Sequence, residues 1–194
     1  VPPVELSIPM VTLSFATSAG MQLHYISREA YRQKSDAVYL EQLAEQFGNS
    51  YIIPEGGTNA LAVKGCTEIV SDISIDYDYI CCASGTGGTL AGIIAGLDGK
   101  GQVLGFPVLK GGEFLKEEIE QLITRYNGQH YDNWQLITDY HFGGYAKVKP
   151  ELLDFMRSFQ QEHHLPLEPV YTGKMFSGLV DLIQKGYFPE GSRI

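Results

Sequence analysis

The run YDYICCASGTGGTLAGIIAGL, residues 77–97, constrains the fold more than any other stretch. Its first part, 77–83, is a nearly continuous apolar run, which suits a strand covered on two faces. Glycines and threonines follow at once, and a small-residue helix is predicted from about Thr89 to Leu97. A strand that passes through bare backbone into a helix is half of a β–α–β unit, and sheets built from such units are parallel.

The rest of the chain repeats the alternation. Residues 9–19 form one helical face closed by Gly20, and 23–27 are expected as a strand. Ser35–Asp36 caps a helix carrying Leu40, Leu43, Ala44 and Phe47, stopped by Gly48. A short strand is expected at 51–54, ending in the turn PEGGTN, where Thr58 or Asn59 caps a helix with Leu61 and Ile69. Downstream come a strand at 102–109 and an amphipathic helix at 113–126, with Leu115, Ile119, Leu122 and Ile123 inward. Then follow a strand in WQLIT, a helix opened by Pro150, and a last helix from Gly173 to Ile183. The expected fold class is α/β, mostly parallel sheet with helices on both faces.

Of 194 residues, 44% are hydrophobic and 19% charged, an ordinary globular balance. A net charge of −9 argues against general binding to nucleic acid or an anionic membrane. Local anion binding stays open, since helix N-termini act on their own neighbourhood. The three cysteines, Cys66, Cys81 and Cys82, show neither a metal spacing nor a disulfide framework, so a reducing, cytoplasmic compartment is expected. No histidines share a ligand spacing, and no metal site is expected. The start at Val1 and the closing GSRI, a turn leading into a strand, suggest a piece of a longer polypeptide.

The loop SGTGGT, 84–89, sits where a parallel sheet presents the carboxyl end of a strand. Gly85, Gly87 and Gly88 leave amides unshielded, Ser84, Thr86 and Thr89 add hydroxyls, and the helix dipole adds positive potential. Together these form a phosphate cradle. Leu90 after Thr89 excludes a P-loop, and the absence of glycine at 90 excludes the dinucleotide fingerprint. The competing reading is that the glycines only allow the helix to pack closely on the strand.

Four stretches, IPEGGTNALAVKGCTEI, ASGTGGTLAGI, YHFGGYAKVKPELLDFM and EPVYTGKMFSGLVDLI, taken together resemble the D-cysteine desulfhydrase and 1-aminocyclopropane-1-carboxylate (ACC) deaminase family. That resemblance implies pyridoxal phosphate as cofactor and the two-domain fold type II, tryptophan-synthase-β-like. On it, 1–53 is the remainder of a small cofactor-covering domain, and 54–194 is the large cofactor-binding domain, incomplete at its C-terminus. Ser84, Gly85, Thr86, Gly87, Gly88 and Thr89 would hold the cofactor's phosphate. Tyr145 and Tyr171 would face the substrate, Tyr171 as proton carrier or nucleophile. Thr172 would meet the ring nitrogen. A small amino acid is the implied partner, and a homodimer the implied assembly.

Position 172 also bears on the substrate. The ACC deaminase branch carries Glu after the tyrosine, which would keep the ring nitrogen protonated. Thr172 offers only a hydroxyl, a weaker arrangement that suffices when thiolate leaves, so D-cysteine is the expected substrate and ACC the alternative. The family's Gly-Asn-Lys segment, with the lysine that links covalently to the cofactor, and its Ser-Asn-His segment do not occur in these residues. Lys64 is expected on the exposed side of a helix, Lys110 follows a strand end in a context that matches no catalytic pattern, and Lys174, close after Tyr171, is expected only to order the loop. Either the missing segments lie outside this stretch, or the chain is a non-catalytic cofactor-binding module.

Overall fold

The computed structural model describes residues 11–48 and 50–194, the side chain of Val11 excepted. By its internal contacts the chain divides into two compact units, Val1–Ile52 and Ile53–Ile194.

In the first unit, helices α1 (Val11–Ser18), α2 (Arg28–Arg32) and α3 (Ala37–Phe47) are described. Asp36 caps α3 as expected, its carboxylate accepting the Tyr39 N–H at 3.0 Å. Residues 9 and 10 of the expected first helix lie outside the described residues. Residues 23–27, expected as a strand, join no sheet among the described residues. Ser27 instead opens α2, its hydroxyl accepting the Ala30 N–H at 3.1 Å. A β pattern without a neighbouring edge to pair with stays extended chain. Residues 51–54 fare the same way.

The second unit holds α4 (Ala60–Ser71), β1 (Tyr79–Ser84), α5 (Gly88–Leu97), β2 (Gln102–Pro107), α6 (Leu115–Asn127), β3 (Trp134–Leu136), α7 (Pro150–His163) and α8 (Thr172–Gln184). The described sheet runs β1–β2–β3, parallel throughout, with Tyr79 opposite Gln102 and Val103 opposite Trp134. The outer edge of β1 is also engaged. The Asp78 and Tyr79 N–H groups donate to the Arg193 carbonyl at 2.9 and 3.1 Å, and the Arg193 N–H donates to the Asp78 carboxylate at 2.8 Å.

Each face of the sheet is covered. Val103 points into a core shared with Val63 of α4, Leu90, Ile93 and Ile94 of α5, and the inward row of α6. That row is Leu115, Ile119, Leu122 and Ile123, all buried, at about 1.5–3 kcal/mol for each fully buried side chain. Leu104 and Phe106, on the alternate positions of β2, meet Leu182 of α8 on the other face. α7 backs α8, with the Phe159 and Phe176 rings 5.1 Å apart.

The contact between α4 and α5 is unusually close. A Cβ added at Gly92 would lie 2.2 Å from Cys66 Cβ, and one at Gly96 would lie 2.7 Å from the Thr67 carbonyl oxygen. Glycines one turn apart thus let the two helices meet along their backbones.

Candidate cofactor site

β1 ends at Ser84 and α5 begins at Gly88, so 84–87 bridge strand and helix directly. Gly87 takes the N-cap position with φ +81°, a left-handed conformation that suits glycine. With no side chain capping α5, its first amides are left for another acceptor. The opposite wall is the PEGGTN turn. Asn59 caps α4 through the Ala62 N–H at 2.9 Å, which frees Thr58. The Thr58 and Thr86 hydroxyls share a hydrogen bond of 2.5 Å across the gap. Between the walls lies a cleft of about 120 Å³, lined by 56–58 and 84–90 with Ala62 and Cys66 of α4. That is about four times a water's share of liquid volume.

One atom tests whether a phosphate fits. The Ser84 hydroxyl is only 3% exposed and has no hydrogen-bond partner among the described residues. Buried hydroxyls are normally satisfied, and leaving one unmade costs about 1–3 kcal/mol. Uncapped amides, an orphan hydroxyl and the dipole of α5 all call for an anion. These residues fit the phosphate of pyridoxal phosphate. Ser84→Ala is therefore expected to act with opposite signs. It should raise ligand-free stability by about 1 kcal/mol, as urea unfolding would show. It should also weaken retention of the phosphate-bearing ligand several-fold in equilibrium dialysis. Equal affinity of the two proteins would overturn this role.

Tyr171 comes to the same loop. A Cβ added at Gly85 would lie 3.2 Å from the Tyr171 hydroxyl, so the glycine is what lets the phenol approach. The Tyr145 and Tyr171 rings meet edge-on, centroids 6.2 Å apart at 71°. Burial first, then the Tyr145 hydroxyl and the Glu168 charge, push the Tyr171 pKa above its ordinary value. Tyr171 is thus a phenol at neutral pH, able to donate a proton rather than start as a base. The structure brings together the glycine loop and both tyrosines. The Thr172 hydroxyl accepts the Glu168 N–H at 3.0 Å and points its own proton at the Glu168 carbonyl at 3.5 Å, a bond long enough to yield to a better acceptor.

Two contributors escaped the sequence reading, and a third was expected only to order its loop. Thr58 is one, since a helix cap was the only role considered for it. Glu168 is the second: its carboxylate accepts the N–H groups of Val170 at 2.7 Å, Tyr171 at 2.5 Å and Thr172 at 2.6 Å, which shapes the turn into α8. An acidic residue just ahead of a helix start was the available clue. The third is Lys174, 1% exposed, whose Nζ donates to the Gly144 carbonyl at 2.7 Å. Its phase with Gly178 and Leu182 already put it on the buried stripe of α8. Lys64 and Lys110 are exposed, and no lysine lines the cleft. Among the described residues no three His, Cys, Asp or Glu side chains gather as a metal site, and no helix is long and apolar enough to cross a membrane.

A parallel α/β unit whose glycine loop offers amides and hydroxyls to a phosphate, with two tyrosines beside it, defines a class. The chain belongs to the pyridoxal-phosphate dependent enzyme family, which its residues 12–194 match. Its fold is that family's type II. A Pyrococcus horikoshii protein, provisionally named a 1-aminocyclopropane-1-carboxylate deaminase, is 33% identical over 78% of this chain and 51% of its own length. The chain thus spans about half the length of the curated relatives it matches. Among solved structures, an ACC deaminase homologue superposes with a TM-score of 0.74 at 28% identity, covering 92% of this chain and 58% of that one. A hydrogen sulfide-producing enzyme from Fusobacterium nucleatum shares the fold, with a TM-score of 0.55 at 18% identity, over 90% of this chain and 60% of that one.

Proposed function

We propose that this chain is the phosphate-holding portion of an enzyme that converts D-cysteine and water to pyruvate, hydrogen sulfide and ammonia. Pyridoxal phosphate, when bound, supplies the electron sink that acidifies the substrate's α-hydrogen. Residues 84–89 hold the phosphate by amides and hydroxyls and so orient the cofactor. Tyr171, kept protonated by burial and by Tyr145, handles a proton at the substrate. The lysine that links to the cofactor belongs to a segment beyond these residues. On this reading 1–53 is part of the small covering domain and 54–194 most of the large one, in a cytoplasmic homodimer.

The observation that carries the substrate is Thr172. The nearby carboxylate of Glu168 is committed to three backbone amides, so position 172 itself offers a hydroxyl and no charge. A hydroxyl can donate a hydrogen bond to a neutral ring nitrogen, whereas a carboxylate would stabilise its protonated form. The weaker arrangement suffices for expelling thiolate and falls short for opening an unactivated cyclopropane. In the full-length protein, Thr172→Glu is expected to lower the ratio of D-cysteine to ACC turnover at least tenfold. An unchanged ratio would sink the substrate assignment.

The names of the relatives favour a second reading, ACC deamination on the same scaffold. Assaying both substrates side by side separates the two. A non-catalytic cofactor-binding module is the reading from another class. Borohydride reduction of the intact protein with pyridoxal phosphate, followed by peptide mapping, decides it: a lysine adduct supports the enzyme, and its absence the module.

A further inference from the structure

We propose that Lys174 is a positioning residue: its buried ammonium grips the Gly144 carbonyl and so sets Tyr145 against Tyr171. The proposal rests on the reading that these tyrosines face the substrate, and it adds the device that holds one of them in place.

The loop that carries Tyr145 does not hold itself. Phe142, Gly143, Gly144 and Ala146 have φ values of +51°, +99°, +114° and +54°. Two of these are side-chain-bearing residues in the left-handed region, which resists them. Tyr145 lies between Gly144 and Ala146 and is 56% exposed, so packing of its own ring does not fix the loop. Local hydrogen bonds tighten the turn: the Gly143 N–H donates to His141 Nδ1 at 2.9 Å and the Gly144 N–H to the His141 carbonyl at 3.0 Å. Those bonds join loop residues only to one another. Lys174 connects the loop to a separate element, α8, which also carries Tyr171 at its N-terminal boundary.

The cost of this arrangement argues for a purpose. An ammonium 1% exposed loses its hydration, and burial pulls the Lys174 pKa down while the Glu168 charge partly restores it. A methionine on this stripe would pack without that penalty. The Gly144 carbonyl also accepts the Lys147 N–H at 3.1 Å, and a Cβ added at Gly144 would lie 3.4 Å from both N and Cβ of Lys110, in the segment after β2. Gly144 is thus fixed from both sides, and the residue that follows it is Tyr145. Among the described residues Lys174 is not part of the cleft lining, and its ammonium binds the loop backbone, so it acts through the loop.

The test uses Lys174→Met and Lys174→Gln in the full-length protein. In Lys174→Met, amide hydrogen exchange over 141–148 is expected to quicken at least tenfold, with α5 and α6 unchanged. The Tyr171 phenol, followed by the ¹³Cζ resonance of labelled tyrosine, is expected to titrate nearer its ordinary value once Tyr145 moves away. Turnover should fall at least tenfold with a smaller change in KM, and Lys174→Gln, which keeps a donor, should recover part of each effect. A folded Lys174→Met with wild-type exchange and wild-type Tyr171 titration would overturn the proposal. If Lys174→Met does not fold, the wild-type protein decides. A slowly exchanging ammonium resonance for Lys174, with cross-relaxation to the Gly144 protons, supports the grip, and its absence overturns it. A loosened loop with unaltered turnover would uphold the positioning and sink the assignment of the tyrosines to the substrate.

Discussion

Alanine at Gly87 is expected to lower unfolding stability by about 2–5 kcal/mol, the sum of two separable effects. Gly87 has φ +81°, where a side-chain-bearing residue costs about 1–2 kcal/mol. Its added Cβ would also lie 2.7 Å from Ile119 Cγ1, and Ile119 is fully buried in α6, so the core must shift at about 1–3 kcal/mol. Gly99 supplies the control, with φ +80° and nothing within 4 Å of its added Cβ. Gly99→Ala should show the backbone cost alone. Urea midpoints of the two variants measure the difference, and a Gly87→Ala no worse than Gly99→Ala would refute the clash. Because Gly87 also opens α5, cofactor retention should fall in Gly87→Ala and not in Gly99→Ala.

Alkaline pH is the second strong lever. Burial, then the neighbouring Cys82, pushes the Cys81 thiol from 9.0 up to about 12. Burial, then Cys66, pushes Cys82 from 9.0 up to about 11. A folded-state pKa above the unfolded one means the folded chain keeps a proton the unfolded chain gives up. The stabilisation is therefore complete below pH 9 and is lost as pH rises through 11 and 12. At about 1.4 kcal/mol per pH unit the loss reaches several kcal/mol. Tyr131, Tyr140, Tyr171 and Tyr187 are also raised, chiefly by burial, and add to the decline above pH 10. Urea midpoints should hold up to about pH 9 and fall steeply from there to pH 12, and Cys81→Ala/Cys82→Ala should flatten the early part of that fall. An unflattened profile would remove the thiols from the account. The same burial should leave both thiols slow toward iodoacetamide at pH 8.

Residues whose role is set within one element were legible from the sequence. The row Leu115, Ile119, Leu122 and Ile123 follows from helical period alone, and Asp36 and Pro150 mark helix starts by local chemistry. The glycine loop was legible because strand, turn and helix are consecutive. Roles that depend on a distant partner were not. Residues 23–27 and 51–54 have strand composition but join no sheet among the described residues. Thr58 could not be assigned to the cleft without knowing that α4 packs against α5, nor Lys174 to Gly144 without knowing where the Tyr145 loop returns. The tyrosines stood out through family resemblance, since phenols at 145 and 171 have no periodic relation to each other.

The glycine-lined contact between α4 and α5 has a mechanical consequence. Thr58 stands just ahead of α4 and Thr86 just ahead of α5, so each wall of the cleft is the leading end of one of these helices. Helices that meet across glycines, with little more than the Cys66 Cβ and a Val70 methyl between them, transmit displacement stiffly. The gap between the walls is thus gauged by the spacing of two helix axes, and neither loop can yawn alone. On the proposed reading, that spacing sets the width offered to an anionic head.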